Sequence, residues 1–129
     1  DLKITNDTVF AGFIPNNEVP KYYNMISIAA VTSKEESFGV SAVEAMACEI
    51  PIVVTNVGGL KEVVINNKTG LVVPPKDPTS IANAIEKLLL NKSLSKKLGN
   101  SGREHVIKNY SLDQSIKNML NIYNELLNV

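Results

Sequence analysis

The chain has 129 residues, of which 44% are hydrophobic and 20% charged, the make-up of one globular domain with a substantial core. Thirteen basic and thirteen acidic side chains cancel, which argues against nucleic acid or an anionic membrane as the main partner and leaves room for a small anionic ligand. The single histidine, His105, excludes a histidine-rich metal site, and the single cysteine, Cys48, excludes an internal disulfide.

No apolar run approaches the ~20 residues of a membrane-spanning helix. The opening residues Asp1 to Thr5 lack the layout of a signal peptide. A reducing, cytoplasmic compartment is the expectation, and a lone cysteine suits it. Chemistry in this chain falls to carboxylates, backbone dipoles or a second domain.

Val9–Ile14 is a short apolar run closed by Pro15 and reads as a strand. Asn17–Asn24 has helical character, with Tyr22 and Tyr23 anchoring it on the sheet. Ile26–Thr32 is nearly all apolar, as a strand buried on both faces should be. The polar loop Ser33–Phe38 follows, then a helix over Gly39–Cys48 and a third strand, Pro51–Thr55. Gly58–Gly59 breaks the chain before a short helix around Lys61–Val64. Asn66, Asn67 and Gly70 mark a tight turn into the strand Gly70–Val73, which Pro74–Pro75 ends. Asp77–Pro78 opens a helix with a capping carboxylate and a proline at the first helical position. Ile81, Ile85, Leu88 and Leu89 supply its apolar face. Ser93 is placed as the cap of the next helix, and Asp113 near the start of the last. That last helix is expected to bury Ile116, Met119, Leu120, Tyr123, Leu126 and Leu127. Strands alternating with helices, the strands solidly apolar, predict an α/β fold: a parallel sheet flanked by helices, with a helical C-terminal third.

Ligands of open α/β sheets sit beyond the carboxyl ends of the strands. The loop into the second helix, Glu36 to Glu44, is therefore the candidate site. Gly39 lets the backbone approach a ligand, and the helix it opens offers free N–H groups and a partial positive charge. Together these make a place for phosphate. Glu36 precedes the helix, and Glu44 lies about 7 Å along its axis from the start. Val40, Ala42, Val43, Ala45, Met46 and Ala47 surround Glu44 in sequence, so the helix is expected to be buried and the carboxylate to need a partner. A ribose diol would serve.

The ordered series Glu36–x7–Glu44, Ala45-Met46-Ala47-Cys48, Pro51-Ile52-Val53-Val54 and Val57-Gly58-Gly59-Leu60-Lys61-Glu62-Val63-Val64 resembles the group-1 retaining glycosyltransferases, the GT4-like branch of the GT-B fold. The resemblance continues through Thr69-Gly70-Leu71-Val72-Val73 and Asp77, and takes in Val9-Phe10-Ala11-Gly12-Phe13 and Tyr22–Tyr23. It implies the Rossmann-like, donor-binding C-terminal half of a GT-B enzyme. Residues 111–129 would be a helix crossing back to an absent N-terminal acceptor domain. It further implies transfer of a hexose-type sugar from a nucleotide-diphosphate-sugar in polysaccharide, glycolipid or other glycoconjugate synthesis.

By the same resemblance Glu36 is the catalytic candidate, contacting sugar hydroxyls near the reacting carbon. Phe38, Gly39 and Val40 would hold the diphosphate through backbone N–H groups, with Ser37 beside them. Glu44 would bind the ribose, and Gly12, Phe13 and Ile14 would border the base. No cofactor and no metal are implied, and no Asp-x-Asp occurs. Partners implied are the donor and the missing half of the chain, through which peripheral membrane association could arise.

Ser37 and Glu49 stand where the family usually has glycine, and the family's basic diphosphate clamp would lie upstream of Asp1. The fragment alone is therefore expected to be inactive. The alternative from another class is a non-catalytic nucleotide-sugar-binding module or partner subunit. A dehydrogenase or flavodoxin-like domain is disfavoured, since no G-x-G-x-x-G follows a strand. Among the remaining residues, Glu35, Lys34 and Lys61 read as solvated and Cys48 as a small packing residue. His105 reads as a surface residue and Glu62 as a local backbone partner. Gly58–Gly59 is either a turn or a backbone approach to the donor.

Overall fold

A computed structural model of the protein describes residues 3–127. Three parallel strands, β1 (Ala29–Val31), β2 (Ile52–Thr55) and β3 (Leu71–Val73), form one sheet in that order. Ala30 stands opposite Val53, and Val54 opposite Val72. The helices are α1 (Val19–Tyr23), α2 (Val40–Ala47), α3 (Leu60–Val63), α4 (Pro78–Leu90), α5 (Lys92–Tyr110) and α6 (Leu112–Leu127).

Side chains on a strand alternate between faces, and β2 shows why the apolar runs are unbroken. Ile52 and Val54 join Met46 of α2, Leu60 of α3 and Val106 of α5 in one core. Val53 turns the other way, towards Leu71, Val73, Ala84, Leu88 and Leu98. Every residue of β2 is buried. The sheet is covered on both faces, as predicted, and α5 reaches both cores.

Local chemistry sets the helix starts. Asp77 caps α4: its carboxylate accepts from the Ser80 N–H at 3.0 Å and from the Ser80 hydroxyl at 2.6 Å. These bonds hold the Asp77 carboxyl below its ordinary range. The cap of α5 is Asn91 rather than Ser93. Asn91 Oδ1 accepts from the Leu94 N–H at 2.9 Å, so one residue ends α4 and begins α5.

Three other expectations need correcting. Val9–Ile14 is not a strand: the segment is irregular, Phe10 and Phe13 are 93% and 91% exposed, and nothing among the described residues pairs with it. A strand exists only through its neighbours, and the local pattern cannot supply one. The strand predicted over Ile26–Thr32 is pared to Ala29–Val31, with Met25 and Ile26 exposed at an edge. The apolar face of α6 is present in sequence, yet none of its residues is buried, because no described element covers it. Of the predicted crossover segment 111–129, residues 128–129 lie outside the described residues, as do residues 1–2 at the other end.

Glu49 has φ 61°, the left-handed region where a side chain is strained. That explains why a glycine is usual at this place in the resemblance. Here Arg103 of α5 steadies the turn, donating to the Ala47 carbonyl and lying 3.6 Å from Glu49 Oε1.

His105 is not the surface residue expected of a charged helix. Its Nε2 is enclosed without a hydrogen-bond partner. The Asn109 side-chain amide lies 3.1 Å from Nδ1. Burial pushes the imidazole pKa down; the Val63 carbonyl opposes this, and Lys68 and Lys108 add to it. A base with a depressed folded pKa costs stability when protonated. The contribution is intact above the unfolded value of 6.5 and is lost as pH falls through the lower folded value. Thermal unfolding midpoints are expected to fall from about pH 7 to about pH 5, with a shallower fall in His105→Gln.

Candidate functional site

At the carboxyl edge of the sheet, β1 runs into an irregular loop over residues 32–39, and β2 into the turn before α3. The two loops are joined. Thr55, fully buried at the end of β2, donates its hydroxyl to the Ser33 carbonyl at 2.6 Å. The Gly59 N–H donates to the Glu36 carbonyl at 3.1 Å. A Cβ on Gly59 would stand 2.5 Å from Phe38 Cα and 2.6 Å from the Ser37 and Phe38 carbonyl oxygens, and one on Gly58 would overlap the Glu36 carbonyl. Gly58–Gly59 is therefore a turn that presses backbone against backbone on the first loop. A hydroxyl ending an apolar strand, Val53-Val54-Thr55, was the sequence signal for the Thr55 tie.

Gly39 caps α2 with φ 99°. Its missing Cβ matters twice, for the left-handed φ and because a methyl would meet Leu60 Cδ2 at 2.6 Å. The N–H groups of Phe38, Gly39 and Val40 have no backbone partner among the described residues. They stand at the positive end of the α2 dipole.

Lys34, Glu36, Ser37, Asn56, Gly58 and Lys61 line an open cleft of about 570 Å³ beside this helix start. Glu36 is half-buried there. Neither lysine is ion-paired among the described residues. The cleft thus sets a carboxylate and two cationic groups near these amides.

Glu44 departs from expectation. It is exposed, because α2 buries Ala42, Ala45 and Met46 and turns Val40, Ser41 and Glu44 outward. Small alanines make the helix read as apolar all round although only one side is covered. The partner of Glu44 is Tyr23, whose hydroxyl lies 3.4 Å from Oε2 and 3.1 Å from the Ser41 carbonyl. Burial first, then the Glu44 charge, push the Tyr23 phenol up to about 12, so it remains a proton donor. No sequence signal linked two residues 21 apart. Ile14 joins Glu44, Tyr22, Tyr23, Met25 and Ile26 around an apolar hollow of about 350 Å³. Gly12 and Phe13 stand in the open, with nothing within 4 Å of a Cβ at Gly12. The structure thus gathers Glu36 and Ser37 at one cleft and Glu44 and Ile14 at another, with Phe38, Gly39 and Val40 at the helix start.

A parallel sheet covered on both faces, with an unpartnered helix start at its carboxyl edge, defines a Rossmann-like α/β domain. The profile of the family described as glycosyl transferases group 1 matches residues 1–105. The chain belongs to that family. It is 34% identical over 122 residues to an uncharacterized glycosyltransferase of Methanocaldococcus jannaschii, covering 95% of this chain and 31% of the relative. Sucrose-phosphate synthase from Thermosynechococcus elongatus superposes with a TM-score of 0.89 at 35% identity, over 96% of this chain and 31% of that one. Anabaena HepE, solved in complex with UDP-glucose, gives a TM-score of 0.84 at 25% identity, over 93% of this chain and 34% of its own. The chain thus spans about a third of the length of these proteins. No helix among the described residues is long and apolar enough to cross a membrane.

Proposed function

We propose that this chain is the donor-binding part of a longer retaining glycosyltransferase, holding a nucleotide-diphosphate-sugar with its diphosphate at the start of α2. The observation that carries this reading is the set of N–H groups at Phe38, Gly39 and Val40, which lack a backbone partner among the described residues, near a cleft that contains Glu36 and two lysines with no ion pair among those residues. Glu36 takes hydroxyls of the sugar near its anomeric carbon. Glu44, exposed and already oriented by Tyr23, takes the ribose, and Ile14 borders the base together with Gly12 and Phe13. HepE, crystallised with UDP-glucose, supports a nucleotide-sugar donor of this kind.

In the transfer the bond between the anomeric carbon and the diphosphate oxygen breaks. The acceptor oxygen bonds to that carbon on the same face, and its proton passes to the leaving phosphate. The α2 amides stabilise the charge that develops on the diphosphate, where preorganised dipoles act most strongly. Acceptor binding and a further basic pair belong to the rest of the longer protein, so this chain alone is inactive. No bridging metal and no cofactor enter the scheme.

Calorimetric titration with UDP, GDP and ADP tests it. One nucleotide is expected to bind at about millimolar strength or better, and Glu44→Ala to weaken that binding about 10-fold through lost charge-assisted hydrogen bonds. Absence of binding both by this chain and by the full-length protein containing it would remove the reading.

A further inference from the structure

Phe38, whose amide stands at the helix start, is touched by a residue beyond the stretch matched to the family. The Tyr110 ring, at the end of α5, lies edge-on to Phe38 with centroids 5.7 Å apart and planes at 71°. Its hydroxyl donates to the Glu62 carbonyl, in α3, at 3.4 Å. The His105 ring packs edge-on behind it, 5.7 Å away at 69°. Tyr110 is half-buried against the core shared by α2, α3 and β2, whereas Phe38 is 44% exposed.

An exposed aromatic on an irregular loop has rotamer freedom unless something brackets it. Phe38 is bracketed twice: Gly59 bears on its backbone from the β2–α3 turn, and Tyr110 bears on its ring from α5. The loop over residues 32–39 is then fixed at three points, Ser33 by Thr55, Glu36 by Gly59 and Phe38 by Tyr110. The third point is the one next to the amides that would meet phosphate.

We infer that Tyr110 is a positioning residue for the donor site, bracing Phe38 so that the N–H groups of residues 38–40 converge on one anion. The inference rests on the donor reading given above. An edge-to-face ring pair contributes beyond its buried area, and here that contribution is spent on the orientation of a loop.

The test is a double-mutant cycle read by calorimetry with the UDP, GDP and ADP panel, together with amide hydrogen exchange without nucleotide. Tyr110→Leu and Phe38→Leu are each expected to weaken nucleotide binding about 5-fold, and the double variant no further, as for a single shared contact. Tyr110→Phe keeps the ring and is expected to restore wild-type affinity. Exchange at the Gly59 amide, which donates to the Glu36 carbonyl of the same loop, is expected to quicken in Tyr110→Leu, with the β2 amides unchanged as the check that the fold persists. Wild-type affinity in Tyr110→Leu, additive losses in the double variant, or unchanged exchange at Gly59 would each overturn the inference while leaving the donor reading standing. Absence of any nucleotide binding by the wild type would overturn the donor reading, and this inference with it.

Discussion

Gly59→Ala is expected to destabilise the protein by about 1–3 kcal/mol, the cost of forcing an extra carbon into a filled space. The sign is the informative part. Gly59 has φ −68° and ψ −20°, ordinary helical values at the start of α3. On conformational grounds alone alanine there should stabilise, since glycine carries an entropic penalty of about 0.5–1 kcal/mol. The opposing effect is contact: the new Cβ would meet Phe38 Cα at 2.5 Å and two carbonyl oxygens at 2.6 Å, all backbone atoms that cannot swing aside. The two loops would have to part, taking the Gly59–Glu36 hydrogen bond with them. Urea unfolding of wild type and variant measures the effect, and nucleotide binding should weaken in parallel. A more stable Gly59→Ala protein would mean that the loops do not touch as described.

Leu60→Ala is expected to cost more, about 2–5 kcal/mol. Leu60 is fully buried, shares the core with Met46, Ile52 and Val54, and is the side chain against which Gly39 is seated. Alanine keeps the helix propensity of α3 intact, so the loss isolates the cavity and the departed contacts. Against a typical total stability of about 5–15 kcal/mol this is a large fraction. Leu89→Ala is the control. Leu89 is 57% exposed on α4, and its truncation should stay within about 0.5 kcal/mol. Equal losses from the two substitutions in chemical denaturation would contradict the placement of the core.

The features legible in the sequence are those that neighbouring residues decide. Asp77–Pro78 announced the start of α4 because a cap and a fixed φ act within one turn. The unbroken run Ile52–Val54 announced a strand covered on both faces, because an apolar residue on each side requires it. Gly39 announced the opening of α2. Features that depend on distant partners were misread. Val9–Ile14 has a strand's composition and nothing to pair with. His105 sits among charged residues in sequence, yet its Nε2 is enclosed beside the Val63 carbonyl of α3, far from it along the chain. Glu44 looked buried because alanines flank it, and its link to Tyr23 spans two elements. Glu49 was recognised as a departure from glycine; its φ and the Arg103 contact give that departure a structural meaning.

Because Gly58 and Gly59 weld the two edge loops into one body, this wall cannot serve as a flap over an incoming molecule. A nucleotide arriving here would find its amides already oriented and would surrender little conformational freedom in the protein. Any closing movement over the cleft would then have to arise outside these two loops.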